Sequence, residues 1–253
     1  MWKVVSASAI GTSHFKDGSL CQDFCIANLE NSFDHQNYVV CLVADGAGSA
    51  KHSKQGAEMA CNYAALAIRN TLNSKGYMLN VITVEQWIKQ VQNAIHQDAT
   101  VNKLAIRDYA CTLLGAIIGE HQALFFQIGD GAIVASNGYT QGIVFCPDNG
   151  PCINMTYFVT DKNVLAHLHV ITTHTKINEV ALFTDGIQRL ALSIAQQTPY
   201  FPFFEPMFKL MRSKSLYECK TLNTQLKLFL DSRNINDRTD DDKSLILATR
   251  MMQ

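Results

Sequence analysis

The chain has 253 residues, with 21 Lys and Arg against 22 Asp and Glu for a formal net charge of −1, 47% apolar residues and 17% charged ones. That balance describes a globular protein, long enough to bury roughly three quarters of its unfolded surface without covalent staples. Near-zero charge with no basic patch excludes a dedicated nucleic-acid binder, whose Lys and Arg would line one face to meet phosphates, and no stretch approaches the ~20 apolar residues of a membrane span.

The start of the chain, Met1-Trp2-Lys3-Val4-Val5-Ser6, lacks the apolar core of a signal peptide. Eight cysteines, at 21, 25, 41, 61, 111, 146, 152 and 219, show no CxxC spacing, and several sit inside apolar runs. Both features point to a cytoplasmic protein with reduced core thiols. Cys21 and Cys25 lack the second Cys or His pair that a zinc site requires. No repeat, low-complexity tract or Pro- or Gly-rich linker divides the chain, so residues 1–253 read as one domain.

Taken in order, the first clear element is an apolar, β-branched run at 39–44. Residues 53–68 follow, with Gly56, Ala60, Ala64 and Ala67 spaced so that a helix can lie close to a sheet. Thr83-Val84-Glu85-Gln86 has capping-box spacing, and Ile88, Val91 and Ile95 then recur at helical intervals, which predicts a helix from about 84 to 98. Strand runs at 113–118 and 123–128 flank Gly119-Glu120-His121-Gln122, a hairpin turn, and another lies at 180–183. Ser215-Leu216-Tyr217-Glu218 repeats the helix-start signal, with Leu222, Leu226, Phe229 and Leu230 on one face. A last strand occupies 245–248. Strands in the middle and paired helices give an α+β fold of antiparallel sheets covered by helices.

The acids sit at the ends of these strands. Three runs end on Asp-Gly: Val43-Ala44-Asp45-Gly46, Ile128-Gly129-Asp130-Gly131 and Phe183-Thr184-Asp185-Gly186. Two begin after acids: Asp23 before Cys25-Ile26-Ala27, and Asp240-Asp241-Asp242 before Leu245-Ile246-Leu247. In an antiparallel sheet the end of one strand lies beside the start of its neighbour, so these carboxylates can converge on one edge. There they would repel one another unless cations neutralise them. Oxygen donors without a His or Cys cluster select Mg²⁺ or Mn²⁺ over zinc, and two such ions activate water toward a phosphorus centre. The glycine after each Asp is expected to allow a tight turn and free the carbonyl for a metal. No cysteine has an Arg six residues on, the arrangement that would serve a thiolate nucleophile, which favours direct attack by water over a phosphoenzyme.

The ordered set Gly11-Thr12-Ser13-His14, Cys21-Gln22-Asp23, Ala44-Asp45-Gly46-Ala47-Gly48, Cys111-Thr112-Leu113-Leu114-Gly115, Ile128-Gly129-Asp130-Gly131, Phe183-Thr184-Asp185-Gly186 and Asp241-Asp242-Lys243-Ser244 resembles the metal-dependent protein phosphatases of type 2C, in their compact bacterial style. The resemblance implies a four-layer α-β-β-α sandwich and hydrolysis of phosphoserine and phosphothreonine in proteins, with a partner Ser/Thr kinase or its targets as the other side of the cycle. It implies two Mn²⁺ or Mg²⁺ ions, with Asp45 bridging, the Gly46 carbonyl on one ion, Asp185 and Asp241 on the other, and Asp23 direct or through water. Asp130 takes a supporting or third-metal role, and Thr112 lies beside the site. Many members carry an Arg where Gly18 stands here, so His14 or Lys16 is expected to grip the phosphate. Ala47 stands where some have a general-acid His, with His52 as a substitute or a mere helix-start residue. Asp242 stands where Asn is common, adding negative charge. The alternative reading is a weakly catalytic domain of the same fold that binds or regulates phosphoproteins.

Overall fold

The structure, a computed structural model, describes residues 1–145 and 156–251. Strand β1 (Trp2–Ala9) leads through the one-turn helix α1 (Thr12–Lys16) to strands β2 (Phe24–Asn31) and β3 (Asn37–Ala44). Two long helices follow, α2 (Ser53–Leu72) and α3 (Val81–Asn102), then a hairpin of β4 (Leu113–Ile118) and β5 (Ala123–Ile128). The next strands are β6 (Ala132–Ser136), β7 (Gln141–Phe145), β8 (His169–Thr173) and β9 (Glu179–Phe183). The short helix α4 (Gln188–Ala191) precedes a small ribbon of β10 (Leu192–Ser193) and β11 (Thr198–Pro199). Helices α5 (Phe201–Ser213), α6 (Leu216–Leu230) and α7 (Arg233–Asn236) come before the last strand, β12 (Lys243–Arg250).

Two five-stranded antiparallel sheets result, ordered β1-β12-β9-β6-β7 and β2-β3-β4-β5-β8. The side-chain period of two sorts each strand into two cores. Val39, Cys41 and Val43 of β3 face Leu182 and Ile246 between the sheets, while Tyr38, Val40 and Leu42 pack outward under α2 and α3. On the other side Val5, Phe183 and Leu247 meet Phe204 and Phe208 of α5 and Leu222 of α6. A central strand buried on both faces must be apolar throughout, which is why β3 and β4 read as continuous runs. The layers are therefore helix, sheet, sheet, helix.

The strand expectations at 113–118 and 123–128 match β4 and β5, and Gly119 N–H donates to the Gln122 carbonyl at 2.9 Å across their turn. Helix α3 begins earlier than its capping-box signal. Asn80 is the N-cap, its side-chain oxygen accepting from Thr83 N–H at 3.0 Å, so Thr83 lies inside the first turn. In α6 the Ser215–Glu218 capping box is present as expected, but Phe229 is exposed and the buried stripe is Cys219, Leu222, Leu226 and Leu230. The small residues of α2 do permit close packing, although at Gly56 the near neighbour is the Tyr109 carbonyl, 2.0 Å from where a Cβ would stand, and not a strand. The six described cysteines are free thiols; Cys146 and Cys152 lie outside the described residues.

Candidate active site

Register brings the strand-end acids together. Phe24 pairs with Ala44, which sets Asp23 beside Asp45 at one end of the second sheet. In the first sheet Phe183 pairs with both Leu245 and Ala132, which sets Asp185 beside the 241–244 segment and beside Asp130-Gly131. The two groups meet across the sheets, where the Thr184 hydroxyl donates to Asp23 Oδ2 at 2.7 Å. Asp23, Asp45, Asp130, Asp185 and Asp241 thus form one electrostatic cluster.

Each acid is held by its own strand end. Asp45 N–H donates to Thr112 Oγ1 at 2.9 Å and Thr112 N–H donates to the Asp45 carbonyl at 2.8 Å, a two-way clamp between the buried Thr112 and the Asp45 backbone. Ala47 N–H donates to the Ala110 carbonyl at 2.9 Å, so the bridge between Gly46 and Cys111 uses the groups on either side of Gly46 and leaves the Gly46 carbonyl out of the ladder. Asp130 follows Gly129, whose φ of +101° is open to glycine and turns the chain from β5 in one sheet to β6 in the other. Gly186 lies in a tight turn as expected, with Ile187 N–H donating to the Thr184 carbonyl at 3.4 Å, but the glycines after the acids are not there for a left-handed backbone. None of Gly46, Gly131 and Gly186 has a positive φ. Each stands where a Cβ would strike neighbouring backbone, at Gly186 the Asp242 carbonyl, 1.9 Å away.

Electrostatics follow from burial and crowding. Burial, then the Asp23 and Asp185 charges, and hydrogen bonding with the Asp185 carboxyl push the Asp45 carboxyl well above the usual carboxylate range. Asp23 is raised chiefly by burial, with the Thr184 hydrogen bond opposing and Asp242 adding to the rise. Asp130 is raised to about 6 by burial and then by Asp185. Asp241 is raised as well, by desolvation and then by Asp185, although its residue is exposed, so solvent screening tempers the effect. Two buried oxygens, Asp23 Oδ1 and Asp185 Oδ1, have no hydrogen-bond partner.

Asp242 adds negative charge beside Asp23 and Asp241, as expected, and has a second part as well. It is 2% exposed, and its two oxygens accept from Gly11 N–H and Gln22 N–H, each at 2.6 Å. An Asn could accept only one of these. Asp242 Oδ2 also lies 2.9 Å from His14 Nδ1, within ion-pair reach but without hydrogen-bond alignment. The Gly11 bond fastens the start of α1 beside the cluster and brings His14 up against Asp242. Ser13 strengthens the attachment, its hydroxyl and N–H both donating to the Asp240 carbonyl, at 2.6 and 3.0 Å. Lys16 is exposed on the same short helix. Lys243 turns away, donating to the Ile10 carbonyl and Asn236 Oδ1. His52 stands at the start of α2 as its N-cap residue, with its ring stacked on Tyr109, centroids 5.6 Å apart.

Among the described residues no three His, Cys, Asp or Glu side chains stand together at metal-ligand spacing, so the acids do not close a finished cage. Their chemistry fits a hard divalent cation all the same. The donors are oxygens, two are buried without partners, and the charges raise one another's proton affinity, which a cation would relieve as well as a proton does. A cavity of about 590 Å³ lies at the opposite end of the sandwich, where Arg212 pairs with Glu179 and Glu205 and Arg250 with Glu120, so its charges balance internally.

A family model for protein phosphatase 2C matches residues 10–231. The chain belongs to the protein phosphatase 2C family. It is 37% identical over 247 residues to serine/threonine-protein phosphatase 3 of Escherichia coli (strain K12), covering 98% of each chain. It shares its fold with a bacterial serine phosphatase (TM-score 0.63, 14% identity, 100% of both chains) and with a serine/threonine phosphatase from Staphylococcus aureus (TM-score 0.60, 14% identity, 100% of this chain and 96% of that one). This phosphatase therefore has the four-layer sandwich expected of its family, which is metal-dependent in general. Among its described residues no helix is long and apolar enough to cross a membrane. Thr184 is the site residue whose part sequence reasoning passed over; a hydroxyl directly after the apolar run 180–183 is the signal that could have found it, since a buried hydroxyl needs partners.

Proposed function

We propose that this phosphatase hydrolyses phosphoserine and phosphothreonine in proteins at the strand-end acid cluster, with two Mn²⁺ or Mg²⁺ ions. The observation that carries the reading is the convergence of Asp23, Asp45, Asp185 and Asp241 from both sheets on one edge, with buried oxygens left unpartnered. Asp45 would serve both ions, the Gly46 carbonyl one, Asp185 and Asp241 the other, with Asp23 direct or through water and Asp130 in support. Ions bound there supply charge neutralisation and an activated water.

The chain's own residues do the rest. Thr112 fixes the backbone of Asp45, and Asp242 holds the 11–14 segment against residues 240–242. His14, on the segment so held and with Nδ1 against Asp242, would present Nε2 to a phosphoryl oxygen, in place of the Arg that Gly18 replaces. A charge-assisted hydrogen bond of that kind is about twice as strong as a neutral one. The phosphatase matches described above support this over a purely binding module.

The test is turnover of matched phosphoseryl, phosphothreonyl and phosphotyrosyl peptides in Mn²⁺, with acid-quenched enzyme checked for covalent phosphate. Release from the first two without a phosphoenzyme is expected. Preference for phosphotyrosine or a trapped phosphoenzyme would refute the reading.

A further inference from the structure

Thr184 follows β9 and is fully buried. Its Oγ1 lies 2.9 Å from the backbone N–H of Ser244 and 2.7 Å from Asp23 Oδ2. A hydroxyl has one proton to give. Ser244 N–H can only donate, so Thr184 accepts there and keeps its own proton to give. An ionised Asp23, the form that would hold a cation, can only accept, which fixes the direction of the second bond. Ser244 belongs to β12, in the same sheet as β9, whereas Asp23 precedes β2 in the other sheet. The hydroxyl therefore links the two sheets at the edge where the acids meet.

The bond also tells the two Asp23 oxygens apart. Oδ2 is occupied by Thr184, while Oδ1 is buried with no partner. Backbone bonding anchors the donor independently, since Thr184 N–H donates to the Ser244 carbonyl at 3.3 Å. We propose that Thr184 is a positioning residue for the cation site, holding Asp23 by Oδ2 so that Oδ1 is the oxygen offered to the ion. This rests on the acid cluster being a cation site. Thr184 itself touches neither ion nor substrate.

The experiment is Mn²⁺ binding, followed by electron paramagnetic resonance of the free ion, for the wild type, Thr184→Val, Thr184→Ala, Thr184→Ser and Asp23→Asn, with each metal-free fold checked by circular dichroism. Loss of an outer-shell partner costs about 10–100-fold in metal affinity, so Thr184→Val and Thr184→Ala are expected to bind Mn²⁺ at least about tenfold more weakly. Thr184→Ser, which keeps the hydroxyl, should stay within about threefold of the wild type by the same reasoning. Combined with Asp23→Asn, Thr184→Val should add little, because the two act through one contact. Unchanged binding in the folded hydroxyl-free variants would overturn the proposal, as would Thr184→Ser failing alongside them. Failure of the wild type to bind Mn²⁺ would instead overturn the cation site itself, and this inference with it.

Discussion

Asp45→Asn and Asp185→Asn are each expected to lower turnover by at least about 10²–10³-fold at saturating metal, because a cation site supplies several kcal/mol to the transition state and each ~1.4 kcal/mol is a factor of ten. Asn keeps the shape of Asp and removes its charge. Both residues lie in a cluster whose members repel one another, so the metal-free fold should not suffer. The sign of the pH effect follows from the upward shifts. A carboxyl with a raised folded pKa binds protons more readily folded than unfolded, so stability falls as pH rises from the unfolded value near ~4 through the folded one. For Asp130 that window closes at about 6, and Asp23 and Asp45 shift in the same direction. Metal-free wild type should therefore melt lower at pH 7.5 than at pH 5, and Asp45→Asn should narrow the gap. A variant with wild-type turnover would remove that residue from the site, and a metal-free protein steadily more stable toward pH 7.5 would show the cluster is not under charge repulsion.

Gly186→Ala is the second large effect. The added Cβ would stand 1.9 Å from the Asp242 carbonyl oxygen and 3.4 Å from Lys243 Cγ, and backbone cannot rotate aside as a side chain does. The end of β9 and the start of β12 must separate, carrying Asp185 and Asp241 apart. Overpacking of this kind costs about 1–3 kcal/mol of stability, and a ~1 Å displacement at a reacting centre costs about 10²-fold in rate. Gly142→Ala in β7, where a Cβ meets nothing within 4 Å, is the control and should melt within a degree or two of wild type. Normal turnover in Gly186→Ala would mean that the approach of β9 to β12 does not set the acids' positions.

Patterns set by one strand or one turn could be read directly. The bounds of β4 and β5 are legible because both strands are apolar throughout and a Gly-led turn separates them. Strand β1 escaped because Lys3, Ser6 and Ser8 break its apolar character, and Lys3 is buried only by donating to carbonyls at the end of α5. Helix α5 escaped because Pro202 and Pro206 argue against a helix. Pro202 sits in the first turn, where no N–H is missed, and Phe204, Phe208 and Met211 bury enough apolar surface to tolerate Pro206. At the site, the acids were legible from their place at strand ends. What Asp242 and Thr184 do was not, since it depends on which backbone groups and which sheet lie opposite, and that is a matter of packing between distant segments.

The central claim is that the converging carboxylates make a cation-dependent phosphatase. It is tested most directly by hydrolysis of an aryl phosphate with the purified protein in Mn²⁺, in Mg²⁺, after exhaustive chelation, and after Mn²⁺ is returned. Oxygen-only sites hold these ions loosely, so activity should vanish on chelation and come back with Mn²⁺. Full activity in the chelated protein would contradict the account.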